Sequence, residues 1–154
     1  MAGFHTKIFI KHDDYMTPKY AWENISHLIP KDKIIWEAFF GDGESGKYLT
    51  ELGFNVIHKP IDFFKSNEGE IIVSNPPFGK SKEVMQRLKE LDKPFIIIFP
   101  SSKINTQYVR ENYKNSNLQI IIPRKRIHFK KLVEGKEVEG WKNCLLYTSP
   151  SPRD

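Results

Sequence analysis

Up to residue 99 the chain alternates short, uninterrupted apolar runs with segments of helical spacing, and that alternation leaves few folds open to it. Residues 33–39, 54–57, 70–74 and 94–99 are short, apolar and bounded by glycine, proline or charge. Runs of this kind read as strands covered on both faces. Residues 45–52 and 81–91 fall between them as helices, the second with Val84, Met85, Leu88 and Leu91 on one side. Strand–helix–strand order implies right-handed crossovers, hence a mostly parallel sheet with helices on both faces. Ligands of such sheets bind beyond the carboxyl ends of the strands, where the winding reverses. The expected fold class is α/β and Rossmann-like.

The flanking elements are read in the same way. Residues 18–29 form a helix, with Thr17 as N-cap and Pro18 at the first helical position, where its missing N–H costs nothing. Tyr20, Ile25, Leu28 and Ile29 are its expected apolar side. Residues 105–112 read as a helix, 118–122 as a fifth strand and 126–133 as a sixth, with a turn near Gly135 and an antiparallel C-terminal edge to the sheet.

The chain has 154 residues, enough for one domain. A hydrophobic share of 39% and a charged share of 28% suit a globular protein. No apolar run approaches the roughly 20 residues that span a bilayer, and residues 1–11 show no cleavable signal, so the expected location is cytoplasmic. The single cysteine, Cys144, excludes a disulfide framework or a cysteine metal cluster, and no metal is expected. A net charge of +5 favours a polyanionic partner.

Residues 144–154 stand apart. Their eleven residues, Cys-Leu-Leu-Tyr-Thr-Ser-Pro-Ser-Pro-Arg-Asp, match the in-frame translation of an adapter used in transposase-based sequencing libraries. The expected domain is therefore 1–143, with 144–154 set aside as foreign. On this reading the native product continues beyond residue 143, and a missing last strand leaves a sheet edge exposed.

Two motifs close predicted strands. Asn75-Pro76-Pro77-Phe78 follows an apolar strand directly. The prolines lack donors and hold φ, so the loop is stiff. The Asn75 side-chain oxygen and the Pro76 carbonyl are both acceptors, able together to hold the two hydrogens of an amino group. Phe78 offers a stacking face for a flipped base. Glu37-Ala38-Phe39-Phe40-Gly41-Asp42-Gly43 follows the first strand, and its glycines allow a tight turn with close approach of a ligand to the backbone. Strand topology puts both motifs on one rim.

Asn75 to Phe78 resembles motif IV of the S-adenosylmethionine-dependent amino-methyltransferases, which act on adenine N6, cytosine N4 or a glutamine amide; this spelling is commoner in the adenine enzymes. Glu37 to Gly43 resembles their motif I. Asp14-Tyr15-Met16-Thr17-Pro18 resembles motif X, and Asp62 resembles the acid of motif III. The order X, I, III, IV spans residues 14–100, and the 123–129 stretch is similar to small phage and virus DNA N6-adenine methyltransferases. The resemblance implies an enzyme that uses S-adenosylmethionine. It places Asn75, Pro76, Pro77 and Phe78 at the reacting amine, and Thr17, Pro18, Glu37, Phe39, Gly41, Gly43 and Asp62 around the cofactor. One position departs from the family. An acid for the ribose hydroxyls is usual just after the second strand, whereas this chain has His58-Lys59, and His58 is read as a strand-end residue.

Arg124, Lys125, Arg126, His128, Lys130 and Lys131 cluster around Ile127 and Phe129. Arg124, Lys125, Arg126 and Lys130 are read as contacts to the phosphates of DNA; a solvated edge strand protected by charge accounts for them equally. RNA-adenine and protein-glutamine methylation are the alternatives within enzymes. A nucleic-acid-binding protein without turnover is the alternative from another class.

Overall fold

The computed structural model describes residues 16–41, 43–133, 136–141 and 144–149, with side chains described up to Phe129 apart from Asp42. Four strands, β1 (Ile34–Trp36), β2 (Asn55–Ile57), β3 (Ile71–Ser74) and β4 (Phe95–Pro100), pair in parallel in the order β2-β1-β3-β4. Helices α1 (Lys19–Glu23), α2 (Glu44–Glu51), α3 (Ser81–Leu91) and α4 (Gln107–Tyr113) cover the sheet, and β5 (Gln119–Ile121) lies at its far edge.

The pleat sorts the apolar runs between two cores. Ile35, Val73, Ile96 and Ile98 turn to one face and pack with Ala21, Trp22, Ile25 and Leu49 from the α1 and α2 side. Trp36, Ile72, Phe95, Ile97 and Phe99 turn to the other and pack with Val84, Met85, Leu88, Val109 and Tyr113 from α3 and α4. Alternate residues of one strand thus serve opposite layers, which is why these strands are apolar throughout. Tyr113 Oη donates to the Met85 carbonyl at 2.9 Å and ties α4 to α3; burial raises its phenol well above the usual tyrosine range. Lys93 Nζ donates to the carbonyls of Glu68 and Gly69 at 2.9 and 2.8 Å, and burial holds its ammonium below the ordinary lysine value.

The first helix is shorter and differently phased than the sequence predicts. It ends at Glu23, followed by a 3-10 turn at Ser26–Leu28. Ala21 and Trp22 are buried with Ile25 and Ile29, while Tyr20 and Leu28 are exposed. The indole explains the phase. Trp22 is fully buried, and its Nε1 donates to Ser45 Oγ at 3.1 Å, so the largest side chain sets which face docks. Thr17 does not cap the helix, because Pro18 occupies the cap position and Thr17 Oγ1 is engaged elsewhere.

Beyond β5 the chain forms a hairpin of β6 (His128–Val133) and β7 (Lys136–Trp141), a two-stranded sheet of its own. Residues 134 and 135, where the turn is expected, lie outside the described residues. The segment set aside above then supplies a strand. β8 (Cys144–Ser149) runs antiparallel between β4 and β5, in register from Phe95 opposite Ser149 to Pro100 opposite Cys144. The antiparallel member therefore stands one position in from the edge, and β5 runs parallel to β4. Main-chain donors and acceptors make this pairing, so it places no demand on the origin of the residues that supply it. The β4 edge, expected to be open, is covered.

Two outcomes follow for unfolding experiments. Trp22→Ala, which empties a fully buried site, is expected to cost about 3–5 kcal/mol in a urea titration, and Trp22→Phe clearly less. Ending the chain at residue 143 bares β4 and removes the strand partner of β5, and should turn a monodisperse gel-filtration peak into aggregate.

Candidate active site at the switch point of the sheet

β1 pairs with β2 on one side and β3 on the other, and the crossovers through α2 and α3 lie on opposite faces. The carboxyl ends of β1 and β3 therefore open a crevice, the usual ligand position in such sheets. Glu37 follows β1 and Asn75 follows β3, so both motifs begin at this opening.

Glu37 is 1% exposed. Its N–H donates to the Ile57 carbonyl at 3.0 Å, and its Oε2 accepts from Ser74 Oγ at 2.6 Å. Ser74 Oγ also accepts the N–H of Phe39 at 3.3 Å. A buried carboxyl group is tolerated only when hydrogen-bonded, and Ser74 supplies a short bond. Asn75 Nδ2 donates to Thr17 Oγ1 at 2.8 Å, and Thr17 is 5% exposed. That bond orients the amide. The nitrogen turns to Thr17, and Oδ1, an acceptor, takes the other branch.

Pro76 is buried and Pro77 holds φ −65°. Phe78 opens the 3-10 turn Phe78–Lys80, is half-buried and packs against the α1-side core. In the loop after β1, Gly41 has φ +57° and Gly43 φ +84°, conformations that favour glycine. Gly43 N–H donates to the Phe40 carbonyl at 2.8 Å and stands at the cap position of α2. Among the described residues a Cβ on Gly41 would meet nothing nearer than the Phe39 carbonyl at 3.9 Å, which leaves room there for a ligand to approach the backbone. Asp14 and Asp42 lie outside the described residues.

Glu37 with Ser74, and Thr17 with Asn75, thus form two hydrogen-bonded pairs on consecutive residues at the end of β3; Pro18 is buried beside Thr17. Asp62 does not join either pair. It is exposed on the loop after β2, and its Oδ1 accepts the Phe64 N–H at 2.8 Å. Its neighbour Phe63 lies 4.7 Å from the ring of Phe39. Arg87 on α3 pins this loop through the carbonyls of Phe63 at 3.2 Å and Ser66 at 2.8 Å.

Arg124, Lys125 and Arg126 are exposed after β5. A cleft of about 450 Å³ lies between α1 and this segment, with Ile25, Ile121 and Ile127 in its wall and Tyr20, Arg124 and Lys125 at its margin. Tyr20 Oη accepts the N–H of His128 at 2.7 Å and closes one end. Because β5 is parallel to β4, its carboxyl end, from which Ile121 to Lys125 line the cleft, lies on the same rim as Asn75. Lys130 belongs to β6, and its side chain lies outside the described residues.

Sequence reasoning passed over Ser74, Phe63 and Arg87. For Ser74 a signal existed, since it is the single polar residue of an otherwise apolar, wholly buried strand. Ser74→Ala strips the short bond from a buried carboxylate and should cost about 1–3 kcal/mol in chemical denaturation.

No protein-family model matches the chain, and no curated protein matches it. Among solved structures it is similar to a precorrin-6y C5,15-methyltransferase from Geobacter metallireducens (TM-score 0.45, 7% identity, covering 84% of this chain and 85% of that one). It is also similar to a SAM-dependent O-methyltransferase from Thermotoga maritima (TM-score 0.41, 12% identity, 79% and 50%) and to precorrin 8w decarboxylase from Methanobacterium thermoautotrophicum (TM-score 0.40, 14% identity, 75% and 67%). These similarities are weak, and the fold assignment rests on the strand order and register given above.

Proposed function

We propose that this chain is an S-adenosylmethionine-dependent methyltransferase acting on an exocyclic amino group, N6 of adenine in DNA. The observation that carries the reading is the 2.8 Å bond from Asn75 Nδ2 to Thr17 Oγ1. It turns the amide nitrogen to the protein and makes Oδ1, an acceptor, the branch that would meet an incoming amine, next in the chain to the Pro76 carbonyl. A stiff double-proline loop suits that pair, since both acceptors must meet one nitrogen.

The residues fit the cofactor. The loop is open at Gly41, its glycines take left-handed conformations, and a buried carboxylate stands at the base of the crevice. Thr17, Pro18, Glu37, Phe39, Gly41, Gly43 and Asp62 are the residues assigned to hold it, with the first turn of α2 behind Gly43. When bound, S-adenosylmethionine supplies an electrophilic methyl group on a sulfonium. The protein's part is positional and electrostatic. Asn75 Oδ1 and the Pro76 carbonyl hold the two amine hydrogens, aim the nitrogen lone pair and offset the positive charge that grows on nitrogen. Phe78 gives the base an apolar neighbour. Arg124, Lys125, Arg126 and Lys130 take the phosphates, and the cleft beside Tyr20 and Arg124 receives a nucleotide next to the target. That cleft is apolar in its wall and cationic at its margin, the combination that suits a base with its phosphate.

The test is mass spectrometry of nucleosides from unmethylated DNA incubated with S-adenosylmethionine and the full chain. N6-methyladenine is expected. Asn75→Ala should lower the rate by about a hundredfold or more, by analogy with loss of a transition-state hydrogen-bonding group. Thr17→Val removes the acceptor that orients the amide and should cost about tenfold in kcat with little change in KM for DNA. Methylation of RNA or of a glutamine amide instead of DNA would move the substrate class. Binding of DNA without any binding of S-adenosylmethionine would replace the enzyme by a nucleic-acid-binding protein.

A further inference from the structure

At the end of β2 the structure holds a ring in a fitted seat. The His58 imidazole lies on the backbone of Gly46, in the first turns of α2. A Cβ on Gly46 would stand 2.1 Å from His58 Cγ, 2.2 Å from Cδ2 and 2.4 Å from Nδ1. On its other side His58 stacks on Phe40, with ring centroids 4.9 Å apart and planes at 21°. Gly43 completes the seat, since a Cβ there would reach Phe40 Cζ at 3.2 Å and His58 Cε1 at 3.4 Å. Two glycines and an aromatic ring thus shape one slot, and a surface histidine needs none of them.

The slot adjoins the candidate site. Glu37 N–H bonds to the carbonyl of Ile57, the residue before His58. Phe40, Gly43 and Gly46 belong to the loop and helix that the cofactor reading uses. In dinucleotide-binding sheets an acid about 20 residues past the glycine loop, beyond the second strand, hydrogen-bonds ribose hydroxyls. His58 occupies that place.

We infer that His58 takes the hydroxyls of the cofactor's ribose through Nε2, in place of a carboxylate; this rests on the cofactor reading above. The protonation pattern follows from burial. Nδ1 is buried with no hydrogen-bond partner among the described residues. An orphaned buried N–H is rarer than an under-used acceptor, so Nδ1 carries the lone pair and Nε2 the proton. Nε2–H then donates to a hydroxyl oxygen, whereas a carboxylate would accept from the hydroxyl. The Phe40 stack and the Gly46 seat hold the ring in place for that bond.

The experiment compares S-adenosylhomocysteine with its 2′,3′-dideoxy analogue by calorimetry on the full chain. The wild type should bind the hydroxyl-bearing ligand about tenfold more tightly, equivalent to about 1.4 kcal/mol, the scale of one hydrogen bond. His58→Phe, which keeps the stack, should erase that preference while binding the dideoxy compound as the wild type does, and His58→Gln should restore part of it. Gly46→Ala should weaken binding through the ring alone, and so add nothing in the His58→Ala background. Nitrogen chemical shifts of the ligand-free imidazole should place the proton on Nε2. Equal affinity of the wild type for both ligands, a preference that survives in His58→Phe, or a proton on Nδ1 would overturn the inference and leave the cofactor reading standing. No binding of either ligand would overturn both together.

Discussion

A buried carboxylate between two parallel strands is the constraint on which the rest of this structure depends. Glu37 leaves β1 at 1% exposure and survives there because Ser74, at the end of β3, donates to it at 2.6 Å. A buried carboxylate without donors would cost several kcal/mol, and Ser74 supplies one such donor. Their bond crosses the point where the winding reverses, so it also fixes how the two motif loops face one another. Asn75 is the next residue after Ser74, and its amide is set by Thr17 from a third part of the chain. Three segments thereby meet at the carboxyl end of β3, above an apolar sheet.

The layers on either side make that meeting possible. Strict alternation along β3 and β4 sends Val73, Ile96 and Ile98 to one core and Ile72, Phe95, Ile97 and Phe99 to the other. Trp22 then binds α1 to α2 through Ser45, which brings Thr17 to Asn75. Packing in the α1 layer and orientation of the Asn75 amide are therefore one problem. The loop carrying Asp62 is held separately, from α3 through Arg87, so the two sides of the crevice are supported by different faces of the sheet.

Much of this was legible beforehand because it depends on local pattern. The helix Ser81–Leu91 shows the predicted bounds, closing at Asp92 in the left-handed region with φ 53°. The four parallel strands fall within a residue or three of their expected limits, because continuous apolar runs are strong signals and their ends are weak ones. The first helix was partly misphased: Ile25 and Ile29 are buried as expected, whereas Tyr20 and Leu28 are exposed, and the indole of Trp22, left out of the expected face, sets how the helix docks. β8 was excluded on the origin of its residues, whereas strand pairing responds to main-chain groups and β-favouring side chains.

The sequence by itself determined the α/β class, the parallel character of the first four strands and the placing of both motif loops at carboxyl ends, because strand periodicity and crossover handedness are set by local chemistry. Only the tertiary structure decided that Ser74 sustains Glu37, that Thr17 turns the Asn75 amide instead of capping a helix, and that His58 sits on Gly46 against Phe40. Those are contacts between residues 12 to 58 positions apart or between motifs on different strands. Their energies depend on distances between atoms that no spacing in a linear chain specifies, and burial, which gives each of them its strength, exists only once the layers have closed.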